Sequence, residues 1–112
     1  MNPQEIMAAL GEGMGVLSEE APELAAAFMQ MDNAAYVDGE LDRKQKELIG
    51  LGIAIAIRCP YCICIHVKQG ANEGATREEM LEAANVGIAF GGSASMAYTA
   101  SVLIPALDEF LD

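Results

Sequence analysis

The spacing of apolar residues predicts that the chain begins with two helices. The first is predicted to start with Asn2 as N-cap and Pro3 at the first helical position, and to be broken by the glycines at 11, 13 and 15. The second is predicted to begin near residue 18 or 22 and to end near residue 36. Its apolar residues recur every three or four positions and share one face: Leu24, Ala27, Phe28, Met31 and Ala35.

A third helix is predicted over residues 42–57, with Asp42 as its N-cap and Gln45 completing a capping box. Its second half, residues 48–57, is apolar on every side. We therefore expect this half to be central and covered all round. A buried strand over residues 53–57 is the competing interpretation, but one continuous element of ordinary length favours the helix.

Pro, Gly and capping residues predict the remaining helices. One is expected from residue 60 to about residue 72, and another begins at the capping box of residues 76–79 and ends at the glycine pair 91–92. Ser93 is predicted to cap a further helix, which Pro105 bends or restarts. No strand alternation and no repeat is present. The pattern predicts an all-α fold of about six or seven helices, in a single domain spanning residues 1–112.

Composition and charge narrow the possible partners. Hydrophobic residues make up 53% of the chain, only 5% is aromatic and Trp is absent, so the core must rest on aliphatic residues and Met. This apolar share is high for 112 residues, which suggests that another subunit covers part of the surface. A net charge of −11 argues against binding to nucleic acid or to anionic membranes.

One uncharged segment, residues 86–107, is long enough to cross a bilayer. It is interrupted by Gly91-Gly92, several hydroxyl residues and Pro105, so we interpret it as helix buried in protein and expect no membrane span. The first stretch carries Glu5 and lacks the basic region of a signal peptide. We therefore expect a cytoplasmic protein, in which a close cysteine pair is more often catalytic or metal-binding than structural.

The candidate chemistry lies in residues 58–66, which contain all three cysteines and the single histidine. On a helix, Cys59, Cys62 and His66 fall within about 60° of one another, whereas Cys64 points to the other side. The first turn of a helix lowers the pKa of a cysteine, so Cys62 is the expected reactive thiol and His66 its proton acceptor. Cys59 is close enough to form a disulfide after Cys62 is oxidised to a sulfenic acid.

Two other interpretations of the cysteine pair are open. The thiols could be small buried hydrophobic groups, which is the role we expect for Cys64. Zinc could formally be bound by Cys59, Cys62, His66 and Glu47, although three ligands spaced along one straight helix do not readily surround an ion. We therefore predict no metal site and no cofactor.

The spacing of four residues resembles a known family. Glu47, eleven intervening residues, Cys59-Pro60-Tyr61-Cys62, three further residues and His66 resemble the alkylhydroperoxidase-D-like branch of the carboxymuconolactone decarboxylase family. The flanking residues 46–49 and 74–79 are similar too, and the resemblance covers roughly residues 28–102.

This resemblance implies an all-helical protein that forms trimers or hexamers, with active sites close to subunit contacts. It implies that Cys62 attacks the peroxide, that Cys59 forms the disulfide, and that His66 and Glu47 relay a proton from the attacking thiol. An external dithiol or lipoyl-type compound would then reduce the pair. Tyr61 stands where the best-studied peroxidases of this type carry a second histidine, and Tyr is a much weaker base at neutral pH.

We therefore expect a thiol-dependent peroxidase or disulfide oxidoreductase that acts on a hydroperoxide. The first alternative is a non-catalytic oligomeric module that senses redox state or binds a metal. The least favoured alternative is a lyase like the decarboxylases that name the family, because those enzymes lack the cysteine pair.

Overall fold

Helices account for nearly all of residues 2–111, the part of the chain that the computed structural model describes. The predicted all-α class is confirmed, since no strand occurs among these residues. The last three helical segments follow one another directly, so the count agrees with the six or seven helices predicted. In order, the segments are α1 (Pro3–Glu20), α2 (Pro22–Tyr36), α3 (Arg43–Ile57), α4 (Pro60–Asn72), α5 (Arg77–Gly91), α6 (Ser93–Tyr98), a π-helical segment (Thr99–Leu103) and α7 (Ile104–Phe110).

Two capping boxes define where α3 and α5 begin, as predicted. The Asp42 carboxylate accepts a hydrogen bond from the Gln45 N–H at 2.7 Å, and the Gln45 side chain accepts one from the Asp42 N–H at 2.9 Å. Thr76 and Glu79 form the same reciprocal pair at 3.1 and 2.9 Å. Each box satisfies backbone N–H groups that a helix leaves unpaired in its first turn.

The predicted break of α1 at its glycines is wrong, because the helix is continuous from Pro3 to Glu20. A glycine inside a helix keeps its backbone hydrogen bond and costs only about 0.5–1 kcal/mol relative to Ala. Packing of α1 against α2, α4 and α7 compensates for that cost. The helix ends instead before Pro22, because a residue that precedes proline is disfavoured in the helical conformation.

The start of α6 differs from the prediction by one residue. Gly92 is the N-cap, with a φ of +75° that favours glycine, and Ser93 is the first helical residue. The irregularity predicted at Pro105 is present. A widened π-helical turn directly precedes α7, where Pro105 has no N–H to donate to the preceding turn.

The core lies where α3, α4 and α5 meet the last helical segments. Each large apolar side chain that is fully buried there stabilises the fold by about 1.5–3 kcal/mol. The largest of them are Leu51, Ile55, Ile63, Met80, Leu103 and Leu107. The prediction that the uncharged segment 86–107 is buried holds only for its second half, which contributes to the core, whereas Val86 and Phe90 in its first half are exposed. Among the helices of residues 2–111, none combines the length and apolarity that crossing a bilayer would require.

The backbones of α3 and α5 approach closely at two glycines. A Cβ atom added to Gly87 would collide with the Gly52 carbonyl oxygen and would lie 2.9 Å from the Ile55 Cβ. A Cβ atom added to Gly52 would lie 3.1 Å from the Ala83 carbonyl oxygen. Glycine at these positions therefore allows α3, which carries part of the candidate site, to pack directly on α5.

The prediction that the second half of α3 is covered all round is wrong for the single chain. Ile49, Ile53 and Ile57 are 50%, 56% and 61% exposed, and their spacing of four residues places them on one stripe. Helices α4 and α5 cover other sides of α3, but no helix of the described chain covers this stripe. Ile49 and Ile53 of this stripe border an apolar groove of about 940 Å³, together with the exposed Val86 and Phe90 of α5.

We predict that Gly87→Ala lowers the free energy of unfolding by about 1–3 kcal/mol, because the added methyl group overpacks the α3–α5 contact. The matched control is Gly11→Ala in α1, where an added Cβ meets nothing within 4 Å. This control should raise the free energy of unfolding by up to about 1 kcal/mol through its better helix propensity. Urea denaturation at fixed protein concentration measures both, and equal effects of the two substitutions would contradict the proposed close contact.

Candidate active site

The end of α3 and the start of α4 bring the cysteine pair into place. Arg58, at a left-handed φ of +58°, ends α3, and the Cys59 N–H donates to the Ala54 carbonyl at 3.0 Å. Cys59 is the N-cap of α4, and its Sγ accepts a hydrogen bond from the Cys62 N–H at 3.2 Å. The tight turn therefore places both sulfur atoms at the positive end of a helix dipole.

The two cysteines form a disulfide, with their Cα atoms 5.3 Å apart. Both residues are partly exposed to solvent. Cys59 and Cys62 are therefore close enough to form a disulfide, as expected from their spacing, and the structure represents the oxidised form of the pair.

His66 lies one helical turn after Cys62 and is paired with Glu47 of α3. Its Nδ1 is 2.7 Å from the Glu47 Oε1. The Glu47 residue is 1% exposed and is buried, contrary to the exposed helix start that its sequence position alone indicates. Because an ionised carboxylate can only accept, Nδ1 is the donor in this contact, and in the neutral form of the ring the lone pair lies at Nε2.

Two further side chains surround the Glu47 carboxylate. Gln69, with its amide nitrogen turned toward the carboxylate, lies 3.1 Å from each carboxylate oxygen. The Arg43 Nε is 3.9 Å from the Glu47 Oε2 and 3.9 Å from the Glu73 Oε2. A buried charge is tolerated only where hydrogen bonds and opposite charge compensate for lost water, and these contacts supply both.

Tyr36, near the end of α2, contacts the other side of the imidazole. Its hydroxyl oxygen is 3.5 Å from the His66 Nε2, and the two rings stack at a centroid distance of 5.7 Å and an angle of 30°. Burial raises the pKa of Tyr36, and the negative charges of Glu47 and Asp32 raise it further. The phenol therefore stays protonated at neutral pH and can donate a hydrogen bond.

Glycine at position 50 makes this contact possible. A Cβ atom added to Gly50 would lie 2.6 Å from the His66 Cε1 and 2.7 Å from the Tyr36 hydroxyl oxygen. Three helices meet at this point, since Gly50 belongs to α3, His66 to α4 and Tyr36 to α2.

The structure brings Glu47 and His66 into contact and joins Cys59 to Cys62. Within residues 2–111, no group of three or more His, Cys, Asp or Glu side chains could hold a metal ion. In this disulfide form, Cys59 and Cys62 are bonded to each other and are not free to bind a metal. Cys64 is buried in the core, as expected, and burial raises the pKa of its thiol.

Sequence reasoning did not identify three residues of this site. Gln69 follows His66 by three positions and Gly50 follows Glu47 by three, so helical register could have placed each beside its partner. Tyr36 lies thirty positions from His66 on another helix, and no local pattern connects the two.

Tyr61 is 45% exposed and lines a small groove beside α1 residues.

The fold and the site together define a class of helical proteins that carry a Cys-x-x-Cys disulfide at a helix N-terminus and a His–Glu pair one helical turn further on. The sequence profile of the carboxymuconolactone decarboxylase family matches residues 22–104. The chain belongs to this family, which confirms the family resemblance found in the sequence.

Solved structures and curated relatives agree with this assignment. A carboxymuconolactone decarboxylase family protein from Legionella pneumophila superposes with a TM-score of 0.92 at 36% identity, covering 98% of this chain and 97% of that protein. A family member from Thermotoga maritima, described with a possible involvement in antioxidative response, gives 0.81 at 29% identity over 92% and 87% of the two chains. "Uncharacterized protein 4 in cox locus" of Paracoccus denitrificans is 36% identical over 91% of this chain and 87% of its own length.

We predict that thiol labelling separates the cysteines by reactivity. In the reduced native protein, Cys59 and Cys62 should react readily with a thiol reagent at neutral pH, whereas Cys64 should react only after unfolding, because it is buried and its pKa is raised. The measurement is the number of thiols labelled before and after addition of denaturant. A Cys64→Ala variant is the control and should lose only the thiol that appears on unfolding. Rapid labelling of Cys64 in the native protein would contradict this assignment.

Proposed function

We propose that the protein is a thiol-dependent peroxidase or disulfide oxidoreductase, with Cys62 as the attacking thiol. The observation that supports this most directly is the oxidisable pair at the start of α4, one turn before an imidazole that Glu47 holds at 2.7 Å. The antioxidative description of the Thermotoga maritima relative agrees with this chemistry.

In the proposed reaction, His66 Nε2 takes the proton of the reduced Cys62 thiol. The thiolate attacks the hydroperoxide, so that an S–O bond forms and the O–O bond breaks, and the leaving alkoxide takes the proton from His66 Nε2 and departs as the alcohol. Cys62 is then a sulfenic acid. Cys59 attacks this sulfur, the S–S bond forms and water leaves. An external dithiol, of the lipoyl type, reduces the disulfide by two thiol–disulfide exchanges and becomes a disulfide itself.

Glu47 and His66 have complementary parts in the deprotonation of the Cys62 thiol. The carboxylate fixes the ring with its hydrogen on Nδ1, which leaves Nε2 free to act as the base. When Nε2 gains a proton, the positive charge of the ring lies next to a buried negative charge. The same arrangement of base and orienting carboxylate activates the nucleophile in many hydrolases. The relay that we propose is therefore complete without a second histidine at position 61.

We also propose that the chain forms a homo-oligomer, and that a second copy covers the groove bordered by Ile49, Ile53, Val86 and Phe90. Phe90 is 88% exposed, and the groove continues a stripe of three exposed isoleucines on the helix that the sequence indicates as fully covered. Soluble monomers rarely expose a continuous apolar surface of this kind. A copy of the same chain offers a matching aliphatic surface.

We expect the reduced protein to lose two thiols per chain when it is mixed with an organic hydroperoxide, because only Cys59 and Cys62 take part. Cys62→Ser should abolish hydroperoxide consumption. Cys59→Ser should consume one equivalent and leave a sulfenic acid that dimedone traps. Glu47→Gln or His66→Gln should slow the reaction by about 10²–10⁴-fold, the usual contribution of general base catalysis.

The matched control is Cys64→Ala, which should react like the parent protein. Repeated turnover with a reduced lipoyl compound distinguishes an enzyme from a redox sensor, which would stop after one oxidation. Unchanged consumption by Cys62→Ser would overturn the proposed mechanism.

We expect light scattering after size-exclusion chromatography to give the mass of two or more chains, each of 11.8 kDa. Ile53→Asp and Phe90→Asp should each lower this mass, because a charge placed in the groove would be buried without a partner. Asn72→Asp, at an exposed position outside the groove, is the control and should leave the mass unchanged. A monomeric parent protein, or groove variants that keep the parent mass, would refute the proposed interface.

A further inference from the structure

Both ring nitrogens of His66 have a partner in the disulfide form. Nδ1 faces the Glu47 carboxylate at 2.7 Å, and Nε2 faces the Tyr36 hydroxyl at 3.5 Å. Nε2 is also the atom that must accept the Cys62 proton in the proposed reaction. The hydroxyl of Tyr36 and the thiol of reduced Cys62 are therefore alternative partners for one lone pair.

The direction of the Tyr36 contact follows from its surroundings. Because Glu47 fixes the hydrogen of the neutral ring on Nδ1, Nε2 can only accept, so the phenol donates. The raised pKa of Tyr36 keeps the phenol protonated and able to donate. At 3.5 Å the contact is longer than an ordinary hydrogen bond and therefore weak, so another donor can replace it.

The Cys62 thiol can reach the same nitrogen after reduction. Residues four apart on a helix have Cβ atoms about 5–6 Å apart on the same face, and Cys62 and His66 have this spacing on α4. In the disulfide form the Cys62 sulfur carries no hydrogen, so it cannot donate to Nε2. Reduction restores that donor.

We propose that Tyr36 is a positioning residue whose hydroxyl occupies His66 Nε2 in the disulfide form and releases it to Cys62 in the reduced form. This inference rests on the proposed function, and it adds a hydrogen-bond exchange coupled to the redox state. The stacked phenol ring holds the imidazole plane in both states, and Gly50 provides the space that the two rings need. When the Cys62 proton moves to Nε2, that nitrogen becomes a donor, so the Tyr36 hydroxyl can no longer donate to it.

The test uses the single histidine of the chain, which gives one set of imidazole ¹⁵N resonances. Spectra are recorded for the parent protein and for Tyr36→Phe, each oxidised and reduced, at about pH 8, where an ordinary imidazole is neutral. In the oxidised protein, Tyr36→Phe should move the Nε2 resonance downfield, since a hydrogen bond to its lone pair is lost, and should leave Nδ1 unchanged. In the reduced protein the same substitution should leave both resonances in place.

The Tyr36→Phe variant keeps the aromatic ring, so a loss of fold is not expected, and Glu47→Gln is the matched control that should move Nδ1 in both redox states. An Nε2 shift of equal size in both states, or none in the oxidised protein, would overturn the proposal. Hydroperoxide consumption is measured on the same samples. Because the spectra need no turnover, an inactive protein with the expected shifts would refute only the peroxidase assignment. An active protein without these shifts would refute only the role of Tyr36.

Discussion

One buried carboxylate constrains how α3 and α4 can pack against each other. Burial of an unpaired carboxylate costs several kcal/mol, and Glu47 is 1% exposed. Its oxygens meet the His66 Nδ1 at 2.7 Å and the Gln69 amide nitrogen at 3.1 Å, and both of these residues belong to α4. A shift of either helix along the other would leave the charge without partners. The interaction that fixes the relative position of the two helices therefore also fixes the tautomer of the imidazole.

Small residues on α3 determine what can lie against that helix on two sides. Gly50 leaves room for the stacked rings of Tyr36 and His66, whereas Gly52 allows the backbone of α5 to approach through Gly87. The two glycines are two positions apart, and a side chain at either would displace a different neighbour. The aliphatic core anchors α3, and the glycines of α3 set the distances at which the Tyr36 and His66 rings and α5 pack against it.

Much of this arrangement is predictable because its causes are local. The capping boxes at Asp42 and Thr76 mark helix starts within four residues, and the register of Cys62 and His66 follows from helix geometry alone. Burial of Glu47 and the approach of Tyr36 depend on how separate helices pack, which no local pattern encodes. The continuous α1 and the exposed stripe on α3 have the same origin, since packing between helices that are distant in the sequence decides both.

Helix α2 contributes no buried residue, yet it delivers the Tyr36 hydroxyl to the imidazole. A helix with so little buried apolar area is among the less stable parts of a fold, so binding at its surface can shift its position with little cost in free energy. Its exposed Leu24, Phe28 and Met31 form an apolar face open to such contact. A molecule that bound this face and displaced α2 would also displace the Tyr36 hydroxyl from the imidazole, and such a coupling acts equally in both directions.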